Sequence, residues 1–339
     1  MNRFSCVIAH VVGHSVARCI DRFAGRCLLA SVLAFQLVPS HAATPPAGCP
    51  PQAAPLSAEV IAAGRGQARD HGFLWRVSKD GRSSFIYGTL HAAREAWMFP
   101  GPTIVEAMQA SDVVALELDV LDADIQRRLA AAIGPIRAEP LPAPLASRLE
   151  RRRAAECVDA TAFAGFAPEF QIASLTVLAA RRDGFDPAYA IDLVLAGTAR
   201  NLGKPVLSLE TPEAQMAALQ MPTQAETIAF VRAGLDDLDS GRARPLLRHM
   251  AKAWVEGDYA ELSRYAKWCE CMRTTAERAA MKRLLDDRNP ALAERIDALH
   301  AGGQRVFAAI GSLHLIGPGG VPALLKRRGY KIEQGDFSK

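Results

Sequence analysis

An α/β fold with a pseudo-symmetric, mixed or parallel central sheet is what this 339-residue sequence predicts, and three observations carry the prediction. Short apolar runs of strand length alternate with stretches of helical periodicity, a pattern that argues for a covered sheet and against a pure helical bundle. Two of those runs, SSFIYGTLH and VFAAIGSLH, end in nearly the same tetrapeptide, Gly88–His91 and Gly311–His314, and each is followed by an irregular turn, a short helix and another strand. Half of the residues are hydrophobic and 22% are charged, enough apolar material for a substantial buried core.

The elements follow in order along the chain. Arg18, Arg22 and Arg26 precede the apolar run Cys27–Val38 and the small-residue pattern Ser40–Ala42, so residues 1–43 read as a cleavable signal peptide. That run is shorter than the roughly 20 residues a bilayer span needs, so no stable transmembrane anchor is expected and the mature protein is placed in the periplasm or outside the cell. Residues 44–70 are rich in proline and alanine and read as a tail; residues 71–337 follow as one α/β domain. FLWRVS (73–78) and SSFIYGT (83–89) flank Asp80-Gly81, the strongest short hairpin signal. A proline-initiated helix over 102–112 leads into the strand VVALELD (113–119). Helical stretches over 122–133, 145–157, 168–182 and 187–202 come next, then the strand KPVLSLE (204–210). Thr211-Pro212 is a cap residue with proline at the first helical position. Helix dominates to residue 301, and the chain closes with RVFAAIG (305–311), a helix over 321–328 and the strand YKIEQ (330–334). The helical regions, about 121–203 and 212–301, are expected to cap the sheet.

Composition and motifs exclude several classes. Without residues 1–43 the chain is almost neutral, and its one tight basic cluster, Arg151–Arg153, reads as the solvated face of a helix, so no nucleic-acid partner is expected. Cys49, Cys157, Cys269 and Cys271 remain; in an oxidising compartment they allow up to two disulfides, with the pairing open. There is no GxSxG elbow, no HExxH and no GxGxxG or phosphate-binding loop.

The chemistry-bearing residues lie where strands end. His91, Glu117, Glu210 and His314 each fall at the carboxyl end of a predicted strand, the edge at which open α/β sheets gather ligands. Two imidazoles and two carboxylates there suit a divalent transition metal with positions left for water. A glycine before each histidine lets the backbone turn or a ligand approach, and Thr89 and Ser312 are placed to bond the loop backbone or orient a ligand. Glu117 stands inside an apolar strand, where a carboxylate costs several kcal/mol unless paired, protonated or metal-bound. Glu210 has a second reading as the acid favoured near the next helix's N-terminus. Arg288 is read as a clamp for an anionic substrate group or a ligand carboxylate, against pairing with Asp286 or Asp287. Asp119 reads as a loop cap and Asp192 as a helix cap, and His71, His249 and His300 as surface or core residues.

The segments FIYGTLH…VVALELD, KPVLSLETPEAQMAAL and DDRNPALAERI…VFAAIGSLHLIGPGGVPALLKRRGYKI together resemble the TraB/GumN family, which includes the TIKI proteins, over about Phe73 to Gln334. The resemblance implies a fold like that of the erythromycin esterase and ChaN-like proteins. TIKI members are metal-dependent proteases that use both GxxH histidines and the glutamate, which carries over to His91, His314 and Glu117. A departure is Ala190–Asp192, where the family tends to place glycine two residues before the acid. The expectation is therefore an exported metal-dependent, peptidase-like hydrolase acting on a peptide or small molecule. His91, Glu117 and His314 would hold Mn, Co, Zn or Fe, with Glu210 as general base or further ligand and Arg288 as the clamp. The alternative is a non-catalytic periplasmic binding or assembly protein for iron, haem or polysaccharide export, with an export-machinery partner.

Overall fold

The structure is a computed structural model that describes residues 48–54, 57–134 and 139–335. The signal-peptide reading of residues 1–43 lies outside the described residues. A mixed sheet of six strands with abundant helix organises the chain, in agreement with the α/β expectation.

Strands β1 (Phe73–Lys79) and β2 (Arg82–Thr89) form the predicted hairpin. Asp80 (φ 52°) and Gly81 (φ 73°) both adopt the left-handed conformation that a tight two-residue turn requires. Strands β3 (Val113–Leu116), β4 (Val206–Ser208), β5 (Val306–Gly311) and β6 (Lys331–Gln334) complete the sheet in the order β4-β3-β5-β2-β1-β6. β4, β3, β5 and β2 run parallel, whereas β1 is antiparallel to both β2 and β6. The two strands that carry the repeated tetrapeptide are neighbours, and Thr89 of one lies opposite Gly311 of the other.

Every residue of β3 is buried, as is all of β5 except Gly311, which fits parallel strands covered on both faces. The cover comes from the helices Pro102–Gln109, Ile191–Asn201, Asn289–Ala301 and Val321–Arg327, which supply Met108, Leu195, Ile296 and Leu325 to the core around the sheet. Trp254 is 1% exposed, and its indole N–H donates to the carbonyl of Gly88 at 2.8 Å. A separate apolar cluster holds the helices Ala123–Ala132, Ala143–Ala155, Pro168–Ala179 and Gln224–Asp239 together through Leu129, Leu149, Leu175 and Leu235.

Several boundaries differ from the sequence reading. β3 and β4 are shorter than 113–119 and 204–210: β3 pairs with β5 only over 113–116, and β4, at the edge of the sheet, pairs with β3 only over 206–208. Beyond them the backbones still touch, Leu209 N–H to Leu116 O at 2.7 Å and Glu210 N–H to Glu117 O at 3.0 Å. Within the stretch read as a tail, Ala58–Gly66 is a helix started by the Ser57 hydroxyl, which accepts from the N–H of Val60; it buries none of its residues. Among the described residues the cysteines pair as Cys49–Cys157 and Cys269–Cys271. No helix among the described residues is long and apolar enough to cross a membrane.

Candidate functional site

Because β4, β3, β5 and β2 are parallel and adjacent, their carboxyl ends reach one edge of the sheet. Glu210 lies just after β4, Glu117 follows β3 directly, and His91 lies just after β2. His314 sits in the 3₁₀ turn Ser312–Leu315 after β5. Three of these side chains face a common point beside Gly311. A Cβ added there would stand 3.0 Å from Glu117 Oε1, 3.6 Å from His314 Cδ2 and 3.7 Å from His91 Nε2.

Glu117 is 7% exposed and fully engaged. Oε1 accepts the N–H of Gly311 at 2.6 Å; Oε2 accepts from Arg288 Nη2 at 2.7 Å and from Gln215 Nε2 at 3.0 Å. Burial pushes its pKa up, but His314 in the protonated form it takes in acid, His91 and Arg288, with the Gly311 N–H, outweigh burial and hold it at about 2.

His314 is equally buried, at 4% exposed. Its Nδ1 lies 2.6 Å from Asn289 Oδ1, and the amide nitrogen of Asn289 donates to the carbonyl of Gly319 at 2.9 Å. With its NH₂ committed to Gly319, Asn289 can only accept from the ring, so Nδ1 carries the proton and Nε2 keeps its lone pair. That Nε2 lies 3.9 Å from Glu117 Oε1. Burial depresses the pKa of His314 to about 4, so the ring is neutral.

His91 stands at the rim, with 61% of its side chain open to solvent. Desolvation by the surrounding walls acts against its protonation, and the Asp192 carboxylate, 3.5 Å from Nδ1, outweighs it and raises its pKa. Asp192 lies in the first turn of the helix Ile191–Asn201 without capping it, and its other oxygen has no hydrogen-bond partner among the described residues.

Arg288 bridges the two carboxylates. Its Nε donates to Glu210 Oε1 at 2.8 Å, its Nη2 to both Glu210 Oε2 and Glu117 Oε2, and its Nη1 to Leu284 O at 2.9 Å. The π-helical turn Lys282–Asp286, separated from it by Asp287, supplies that carbonyl. Glu210 directs both oxygens at Arg288, with Gln215 Nε2 3.4 Å from Oε2.

The other candidates lie apart. Asp119 binds Arg200 at 2.6 Å and accepts the N–H of Leu121. His71 bonds the carbonyl of Val255, His249 stacks on Trp268, and His300 is buried between Ser84 and Lys79 O. Ser312 donates to Thr89 O at 2.9 Å, one copy of the tetrapeptide tying down the other. Sequence reasoning did not single out Asn289 and Gln215. Each lies inside a segment it quoted, yet an asparagine opening a helix before Pro290 signals a cap, not a partner for a distant histidine.

This arrangement presents an unprotonated imidazole nitrogen on His314, a second imidazole on His91 whose proton an ion would have to displace, and an ionised carboxylate, each imidazole backed by an acceptor on its Nδ1 side. Two donors sharing an ion through bonds of about 2.0–2.2 Å can stand up to about 4.4 Å apart, a limit that the 3.9 Å between His314 and Glu117 respects. The set converges without closing: among the described residues no three His, Cys, Asp or Glu side chains are near enough to enclose an ion. The TraB/PrgY/gumN family model matches residues 73–334. No curated protein and no solved structure matches the chain.

Proposed function

The chain belongs to the TraB/PrgY/gumN family, and from that premise we propose that it is an exported, metal-dependent hydrolase with a peptidase-like reaction. The observation that supports this reading best is the point beside Gly311 on which His91 Nε2, His314 and Glu117 Oε1 converge. The donor chemistry suits a divalent transition ion, and the acceptors behind both Nδ1 atoms are the outer partners that metal-binding histidines use. Bound there, such an ion supplies a Lewis acid that polarises a carbonyl and acidifies water.

The protein's own residues prepare that chemistry. Asn289 holds His314 in the tautomer whose Nε2 faces the cleft. Arg288 takes Glu117 Oε2 and keeps the carboxylate ionised with Oε1 turned to the Gly311 side. Glu210, with both oxygens on Arg288, serves to fix the guanidinium. His91, open to solvent, marks the side from which a peptide or small amide enters.

Metal analysis of protein purified from the exported fraction, paired with a fluorogenic peptide library, tests this reading. Wild-type protein is expected to retain stoichiometric metal and to cleave peptides, and His314→Ala and His91→Ala to lose both. Cleavage that persists unchanged in both variants without bound metal would refute the mechanism.

A further inference from the structure

Away from the sheet edge, the second disulfide poses a separate question. Cys269 and Cys271 are bonded across one residue, Glu270, whose φ of 56° lies in the left-handed region that side-chain-bearing residues seldom occupy. Disulfides stabilise chiefly by closing long loops in the unfolded chain. Cys49–Cys157 closes one with a sequence separation of 108; Cys269–Cys271, with a separation of 2, closes almost none. Stability therefore does not account for it.

Its surroundings suit sulfur chemistry. The N–H of Cys271 donates to Cys269 Sγ at 3.1 Å, and the hydroxyl of Tyr265 lies 3.6 Å from Cys271 Sγ, positioned to donate to it. Burial pushes the Tyr265 phenol up to about 12, so that hydroxyl keeps its proton. Each sulfur thus has a donor ready to stabilise it as a thiolate. Access is one-sided: Cys269 is 3% exposed, whereas Cys271 is partly open and the adjoining Glu270 and Arg273 side chains are 57% and 64% exposed.

We propose that Cys269–Cys271 is a thiol–disulfide exchange site that accepts two electrons from a dithiol on another polypeptide. The incoming thiolate attacks Cys271 Sγ, the bond to Cys269 breaks, and Cys269 leaves as a thiolate held by the Cys271 N–H. The second thiol of the dithiol, as its thiolate, then attacks the mixed disulfide. Cys271 leaves as a thiolate beside Tyr265, the partner is oxidised to a disulfide, and the protein holds the reduced pair. This inference is independent of the metal-site reading.

The test equilibrates the mature protein with graded mixtures of reduced and oxidised glutathione, alkylates free thiols and maps them by mass spectrometry. Cys49–Cys157 serves as the internal control. Cys269–Cys271 is expected to open at mixtures roughly tenfold or more less reducing than Cys49–Cys157 requires, with the circular dichroism unchanged. Tyr265→Phe is expected to shift that midpoint toward more reducing mixtures and leave the other bond alone. In Cys269→Ser, Cys271 is expected to hold a glutathione adduct, whereas in Cys271→Ser the buried Cys269 stays unmodified. Reduced, unfolded ribonuclease supplies the polypeptide dithiol, and wild-type protein is expected to oxidise it in a single turnover that the Cys269→Ser/Cys271→Ser protein lacks. Joint opening of both disulfides, opening only on unfolding, or equal ribonuclease oxidation by the double variant would overturn the proposal.

Discussion

Gly88 and Gly311 are the same residue in the same tetrapeptide, yet they answer to different neighbours. A Cβ at Gly88 would come within 2.8 Å of Ser312 Oγ and 2.9 Å of Leu315 Cδ1, inside packed protein; at Gly311 it would meet Glu117 Oε1 at the cleft. Gly88→Ala is therefore expected to lower stability by about 1–3 kcal/mol in urea unfolding. On the proposed function, Gly311→Ala should leave the unfolding midpoint nearly in place while weakening metal retention and cleavage. Asn289→Ala removes the acceptor that orients His314, and under the same proposal its metal affinity is expected to fall about 10–100-fold by isothermal titration. A repeated tetrapeptide is legible because it is written in contiguous letters. The acceptors behind each histidine, Asn289 and Asp192, were not, since only the fold decides which imidazole each one faces.

Among the elements, what was local was legible. Asp80-Gly81 dictates its own turn, and Thr211 caps the helix Pro212–Leu219 through the N–H of Ala214 as read. The helix Ala58–Gly66 was missed because it is short, fully buries none of its residues and meets its neighbour Phe99 through a glycine, Gly64, so its sequence carries little apolar period to detect. The contact between the turn Ala180–Asp183 and the helix Ala243–Val255 was equally invisible. Arg244 binds both oxygens of Asp183 at 2.8 Å, and Arg248 adds a third bond at 3.0 Å. Hydrogen bonds from Arg244 are the main cause of the lowered pKa of Asp183. A depressed carboxylate pKa contributes stability above its unfolded value of about 3.9 and loses it as the pH falls through the folded one. Asp183→Asn should therefore be less stable than wild type at neutral pH, by no more than about 1 kcal/mol given the exposure of its arginines, and should converge with it in strong acid. Urea midpoints measured across pH check this.

For the whole molecule, the α/β class followed from alternating periodicities, but the order of the strands did not, because no local signal states which strand lies beside which. Two apolar clusters organise the described residues, and Cys49–Cys157 ties their N-terminal segment to the end of the helix Ala143–Ala155. Replacing both cysteines with alanine is expected to cost about 2–4 kcal/mol by chemical denaturation without reductant. The place of β5 has a further consequence. It lies between β3 and β2, yet its residues come near the end of the chain. A nascent polypeptide on the ribosome must hold β2 and β3 unbridged until the helices between β3 and β5, and then β5 itself, have been made, so the centre of the sheet condenses late.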